Sequence, residues 1–202
     1  MARLREADRF DPGIVISAYR SGYFPMAESR DGPISWHSPD PRAIIPLRSF
    51  NVPRSLRREM KRSSCSITVD RAFEDVIAHC GERACAEDTW ISGAIIRVYT
   101  ELHRMGIAHS VETWREGSLV GGLYGISLGG AFFGESMFSL VSNASKYALV
   151  SLVSRLNERG YRLLDTQIIN EHVRQFGAIE VPRIEYLRLL SDALCLSASF
   201  RD

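Results

Sequence analysis

The sequence lacks most of the signatures by which an enzyme is recognised at sight. Its four cysteines (Cys65, Cys80, Cys85 and Cys195) contain no Cys-x-x-Cys pair, and His79-Cys80 with Cys85 has no second half that would complete a zinc site. No two glycines stand two apart between Gly121 and Gly134, no Gly-Lys-Ser/Thr follows, and no Gly-x-Ser-x-Gly elbow occurs. His37, His79, His103, His109 and His172 are scattered and suggest neither a triad nor a ligand set. No metal and no bound cofactor are therefore expected. The apolar runs fall far short of the ~20 residues that a membrane helix needs. With no leader peptide visible, a cytoplasmic protein with reduced thiols is the simplest expectation. Charge of one sign is also missing. The formal net charge is +1, so any contact with nucleic acid has to come from local clustering.

What is present is the composition of a soluble globular chain: 45% hydrophobic and 24% charged over 202 residues, enough for one substantial domain or a domain with an extension. Residues 1–42 read differently from the rest. A short helix from Pro12 to Ser21 stops at Gly22, and an irregular stretch from Glu28 to Arg42 follows, with Pro33, Pro39 and Pro41 breaking regular structure. This is the pattern of a small N-terminal cap on a main domain spanning 43–202. Ala43–Leu47 reads as a strand, Ile67–Val69 as another, and Asp70 and Ser92 as caps of two helices. From Ala108 the period becomes that of strands, giving a three-stranded meander to Ser139. Asn143 opens a long helix ended by Gly160. A strand over Tyr161–Ile169, a short helix, a last strand over Ile179–Val181 and a closing helix over Arg183–Leu194 complete an α+β domain with a mixed sheet and flanking helices.

Two features carry charge or chemistry. Pro53 opens a helix on which Arg54, Arg58, Lys61 and Arg62 fall along one face. With Arg57 the helix has five cations against one acid, Glu59, and no interleaved acids neutralise them. A solvated face would look similar, but the uncompensated repulsion favours a phosphate-backbone contact. The other feature is the Gly-rich hairpin Leu119–Ser139. Glycines inside strands mark bulges or close approaches of a ligand or backbone. Glu135 follows one of them among apolar neighbours, where a carboxylate is costly unless it is paired or used. Downstream, Asp165 and Gln167 stand two apart on a strand and so are expected to share a face.

Taken together, Gly22-Tyr-Phe-Pro25, Trp36-His-Ser-Pro-Asp-Pro-Arg42, Thr89-Trp-Ile91, Ala108-His-Ser-Val-Glu112, Leu119-Val-Gly-Gly-Leu-Tyr-Gly125, Gly134–Ser139, Asn143-Ala-Ser-Lys146, Asp165-Thr-Gln167 and Phe176-Gly-Ala178 resemble the leucyl/phenylalanyl-tRNA–protein transferase family over about Ala18 to Leu190. The resemblance implies an N-acetyltransferase-like main domain behind a small N-terminal one. It implies transfer of leucine or phenylalanine (or methionine) from aminoacyl-tRNA to the α-amino group of proteins beginning with Arg or Lys, which creates a degradation signal. Under it, Asp165, Gln167 and Glu135 are the catalytic candidates. Gln167 would accept a hydrogen bond from the amine, Asp165 would orient Gln167, and Glu135 would hold the amine or the basic first residue. Leu123, Phe132, Gly134 and Met137 would surround the amino-acid side chain. Trp90 and Met26 would grip the terminal adenine, with Met26 standing where the family commonly has tryptophan. Arg54, Arg58, Lys61 and Arg62 would contact the acceptor stem. A monomer is expected. Two other readings stay open from the residues alone: an acyl-CoA-dependent N-acetyltransferase and a non-catalytic tRNA- or degron-binding module.

Overall fold

A computed structural model describes residues 10–30, 32–82 and 89–201. The first helix, α1 (Pro12–Arg20), starts where Asp11 accepts the Ile14 N–H at 3.0 Å and ends before Gly22, whose φ of +81° suits glycine. Val15 and Tyr19, one turn apart, form its buried face. The stretch expected to be irregular contains a strand. β1 (Phe24–Ala27) pairs antiparallel with β2 (Ile34–His37), the residues between Pro33 and Pro39 that are free to donate to a ladder.

The remaining strands lie in a second sheet. In chain order they are β3 (Arg42–Ile45), β4 (Ser66–Val69), β5 (Ala108–Arg115), β6 (Ser118–Leu128), β7 (Ala131–Ser139), β8 (Leu163–Gln167) and β9 (Ile179–Val181). In space they run β4-β5-β6-β7-β8-β3-β9, seven strands among the described residues. The meander β5-β6-β7 matches the sequence reading. The placement of the early strand β3 between β8 and β9 had no local signal. β7 and β8 are parallel and bonded only from Ala131 to Phe133 against Leu163 to Asp165. Beyond that they part, and the site lies in the opening.

Helices cover both faces. α1, α3 (Phe73–Gly81), α4 (Gly93–Arg104) and α7 (Arg183–Leu194) enclose one core with Tyr124, Ile126 and Phe133. α2 (Arg54–Arg62), α5 (Ala144–Glu158) and α6 (Glu171–Arg174) enclose the other with Leu123, Phe132 and Leu164. Ser92 caps α4 through the Ile95 N–H at 3.3 Å, as its position predicts. Asp70 does not cap α3. It sits at φ +56°, and its carboxylate instead takes the Ser110 N–H at 3.1 Å and bonds His109 Nδ1 at 2.8 Å. That long-range pairing outcompetes the local cap.

Gly121 and Gly125 serve close approach, as their positions inside strands suggest. A Cβ on Gly121 would stand 2.5 Å from the Ala144 Cβ, so glycine there lets α5 sit down on the sheet. A Cβ on Gly125 would lie 2.2 Å from the Phe133 carbonyl oxygen. No helix among the described residues is long and apolar enough to cross a membrane. No group of three His, Cys, Asp or Glu side chains among those residues is placed to hold a metal ion, and Cys85 lies outside them.

Candidate active site

Two irregularities place the site's side chains. On β7, Gly134 pairs with Gly125 and Ser136 with Tyr124, so Glu135 is an extra residue, a bulge. On β8, Asp165 pairs with Ile44 and Gln167 with Ala43, so Thr166 is extra, and Gln167 takes φ +58°. Bulges turn side chains away from the strict alternation of a strand. Here they face each other across the gap between the parting strands. A cavity of about 1180 Å³ opens there, lined by Met26, Trp90, Leu123, Gly134, Glu135, Met137, Thr166 and Gln167 among others.

Glu135 is the polar centre. Its Oε1 accepts from the Tyr19 hydroxyl at 2.7 Å and from Gln167 Nε2 at 3.3 Å, and its Oε2 accepts from the Tyr99 hydroxyl at 3.3 Å. The two hydroxyls are themselves 2.6 Å apart. Burial pushes the Glu135 carboxyl up to about 8. The Asp165 charge adds to the rise, while the tyrosines and Arg42 work against it. Tyr19 and Tyr99 are held well above their ordinary range, first by burial and then by Glu135, so both remain donors. With its N–H given to Glu135, Gln167 keeps its amide oxygen as the free acceptor.

Asp165 occupies a different pocket. It is fully buried and bound by a two-toothed Arg42 contact, Nε to Oδ1 at 3.0 Å and Nη2 to Oδ2 at 2.7 Å. The Tyr186 hydroxyl donates to it at 2.7 Å and the Gln167 backbone N–H at 2.9 Å. Burial opposes the Arg42 charge, but Asp165 outweighs it and raises the guanidinium above its ordinary value. Arg42 also donates to the Gly22 carbonyl at 3.1 Å and lies over the rings of Phe24 and Tyr186. The expected shared face of Asp165 and Gln167 gives way to this arrangement. The left-handed turn at Gln167 breaks the two-residue period, and Asp165 grips the backbone of Gln167 rather than its amide. Asp165 is not among the residues that line the cavity.

The other candidates divide in the same way. Leu123 and Met137 are direct cross-strand partners and line the cavity with Leu149, Leu152 and Leu164. Phe132 does not line it. It lies where β7 and β8 are still paired, wholly buried, with its ring stacked 5.1 Å from that of Phe200. A Cβ on Gly134 would meet only the Asp165 carbonyl oxygen, at 3.6 Å, so the fold itself does not require glycine there. Trp90 and Met26 reach the cavity together, tied by the Ala27 N–H to Trp90 carbonyl bond of 3.2 Å. Arg54, Arg58, Lys61 and Arg62 are exposed on α2, outside the cavity, and no carboxylate among the described residues pairs with them. Sequence reasoning missed Tyr19, Tyr99, Arg42 and Tyr186. A tyrosine on a buried helix face reads as core, and only the Pro-Asp-Pro-Arg motif hinted at Arg42.

The chain is thus an α+β protein with a mixed sheet whose parallel pair parts over an apolar slot, and an amide and a carboxyl are bonded across the gap. A family model described as "Leucyl/phenylalanyl-tRNA protein transferase" matches residues 44–191, and one for its N-terminal domain matches residues 8–40. The chain belongs to the leucyl/phenylalanyl-tRNA–protein transferase family. It is 54% identical to a protein of that name from Salinibacter ruber over 94% of this chain and 83% of that one. It is 51% identical to one from Chlorobaculum tepidum over 92% and 96% respectively. Among solved structures, a ribosomal-protein-alanine N-acetyltransferase from Brucella melitensis biovar Abortus 2308 matches 56% of this chain and 87% of that one, at 15% identity and a TM-score of 0.39.

Proposed function

We propose that this protein moves leucine, phenylalanine or methionine from aminoacyl-tRNA onto the α-amino group of proteins beginning with Arg or Lys, marking them for degradation. The observation that carries the reading is the Glu135–Gln167 bond across the parted strands, beside a slot lined by Leu123 and Met137. In the reaction the amine nitrogen attacks the ester carbonyl carbon. The new C–N bond forms as the bond to the ribose oxygen breaks, and the amine's proton ends on that oxygen. An α-amino group titrates near ~7.7–8.0, so a usable fraction is neutral and alignment matters more than a strong base. The Gln167 amide oxygen accepts from the attacking amine. Glu135, pushed up to about 8, changes protonation in the same range and holds the amine or the basic first side chain. Asp165 acts through the Gln167 backbone as a positioning residue.

The space above Gly134 suits a substrate passing close to the backbone. A slot of this kind crowds residues branched at Cβ, so it favours Leu and Phe over Ile and Val. Residues 1–42 act as a cap that also supplies Tyr19 to the site, and 43–202 as the catalytic domain. The exposed cations of α2 receive the acceptor stem, and the protein works as a cytoplasmic monomer. The test is a mixture of purified protein, charged Leu-tRNA and a peptide beginning with Arg. Extension of the peptide by one leucine is expected. Turnover with acetyl-CoA instead, or binding of tRNA without extension, would replace this reading with the acetyltransferase or the binding module.

A further inference from the structure

The only acid on α2, Glu59, is bonded to the start of α5. Glu59 accepts from Asn143 Nδ2 with both oxygens, at 3.1 and 2.9 Å, and from the Tyr147 hydroxyl at 2.7 Å. These bonds hold its carboxyl below the usual range, Tyr147 first and Asn143 next. Burial and Glu59 push Tyr147 up to about 12, so it stays a donor. Both partners belong to the start of α5. Asn143 precedes the helix at φ +63°, and Asn143, Ser145 and Lys146 line the cavity. The fork therefore joins the helix that bears the free cations to the rim of the slot.

α2 has few other holds. It is nine residues long, with Leu56 as its buried side chain and Met60 half-buried. A helix so short is marginal without tertiary anchors, and its own cations repel one another. Leu56 and Met60 supply an apolar contact, which by itself fixes no direction. A carboxylate gripped by a two-donor amide and a phenol supplies direction.

We propose that Glu59 is a positioning residue that holds the basic helix at a set angle and distance from the cavity. The acceptor stem and the aminoacyl end of one tRNA then engage both sites at once. This rests on the proposed transferase activity and on α2 as its tRNA-binding element. The opposite expectation is simple electrostatics: an acid inside a basic patch repels phosphate, so its removal should strengthen tRNA binding.

The signs differ, so one comparison decides. Glu59→Ala and Glu59→Gln are assayed with leucyl-tRNA and with the leucyl ester of adenosine, which has no stem, using the same Arg-terminated peptide. For Glu59→Ala, kcat/KM with leucyl-tRNA is expected to fall about tenfold, the scale of a misplaced substrate, while the small donor stays within about twofold. Glu59→Gln, which keeps an accepting oxygen, should recover part of the loss. Binding of uncharged tRNA to Glu59→Ala should weaken with its salt slope unchanged. Equal losses on both donors, or tighter tRNA binding by the variant, would overturn the proposal. A wild-type protein inactive on both donors would instead sink the transferase reading, and the binding arm would still report on Glu59.

Discussion

Asp165 and Glu135 sit on the two strands that part, each with a carboxylate held by tyrosine hydroxyls, yet their surroundings differ by one cation. Asp165 has Arg42 in a two-toothed grip, is sealed from the cavity, and has a backbone N–H as its further partner. Glu135 has no cation bonded to it among the described residues, opens on the cavity, and is pushed up to about 8 by burial. A buried charge that is paired and saturated is costly to unpair, which suits a frame. A carboxyl whose partners are all neutral donors can change protonation as a substrate arrives. On the proposed mechanism this difference assigns Asp165 to shaping the site and Glu135 to working in it, although the family resemblance gives both as catalytic candidates.

Breaking the frame should have the largest effect. Arg42→Met leaves Asp165 buried without its partner and is expected to cost about 3–5 kcal/mol of stability, read from the urea midpoint. Adding Asp165→Asn to it should recover much of that loss. A single-variant midpoint equal to wild type would mean that the pair is not the frame. On the working side, Gln167→Ala should lower kcat about a hundredfold while costing under about 1 kcal/mol in unfolding, the reverse signature.

The most gradual effect concerns pH. The Glu135 pKa is raised from 4.5 to about 8, so between those values the folded protein holds a proton that the unfolded chain has released. The stability that this proton contributes is complete below about 4.5 and is lost as pH rises through about 8. Glu135→Gln should remove that decline, which in wild type can reach about 1.4 kcal/mol per pH unit. Parallel stability–pH curves for the two proteins would place Glu135 on the frame side instead.

Much of this was legible in the chain. Pro12, Pro53 and Ser92 start α1, α2 and α4, and the left-handed glycines Gly22, Gly106 and Gly160 follow the ends of α1, α4 and α5, because caps and left-handed termini act within one turn. The meander follows from its two-residue period. Glu135 and Gln167 could be picked out because polar residues among apolar neighbours need a use. Phe132 could not be separated from Leu123 and Met137, since all three carry the same apolar signal and only the point where β7 leaves β8 decides which of them line the slot. Tyr19 had no polar signature at all, yet it reaches Glu135 across 116 positions.

The amino-acid order by itself determined most of the elements, the basic face of α2 and the standing of Glu135 and Gln167 as polar residues among apolar ones, because these depend on caps, periods and nearest neighbours. Tertiary structure alone decided that β3 lies between β8 and β9, so that Arg42 meets Asp165 and Asp165 is kept out of the cavity lining. It also decided where two parallel strands separate and which tyrosines close on Glu135. Those outcomes belong to the packing of two helical layers on one sheet, and burial and charge pairing at such distances have no local code.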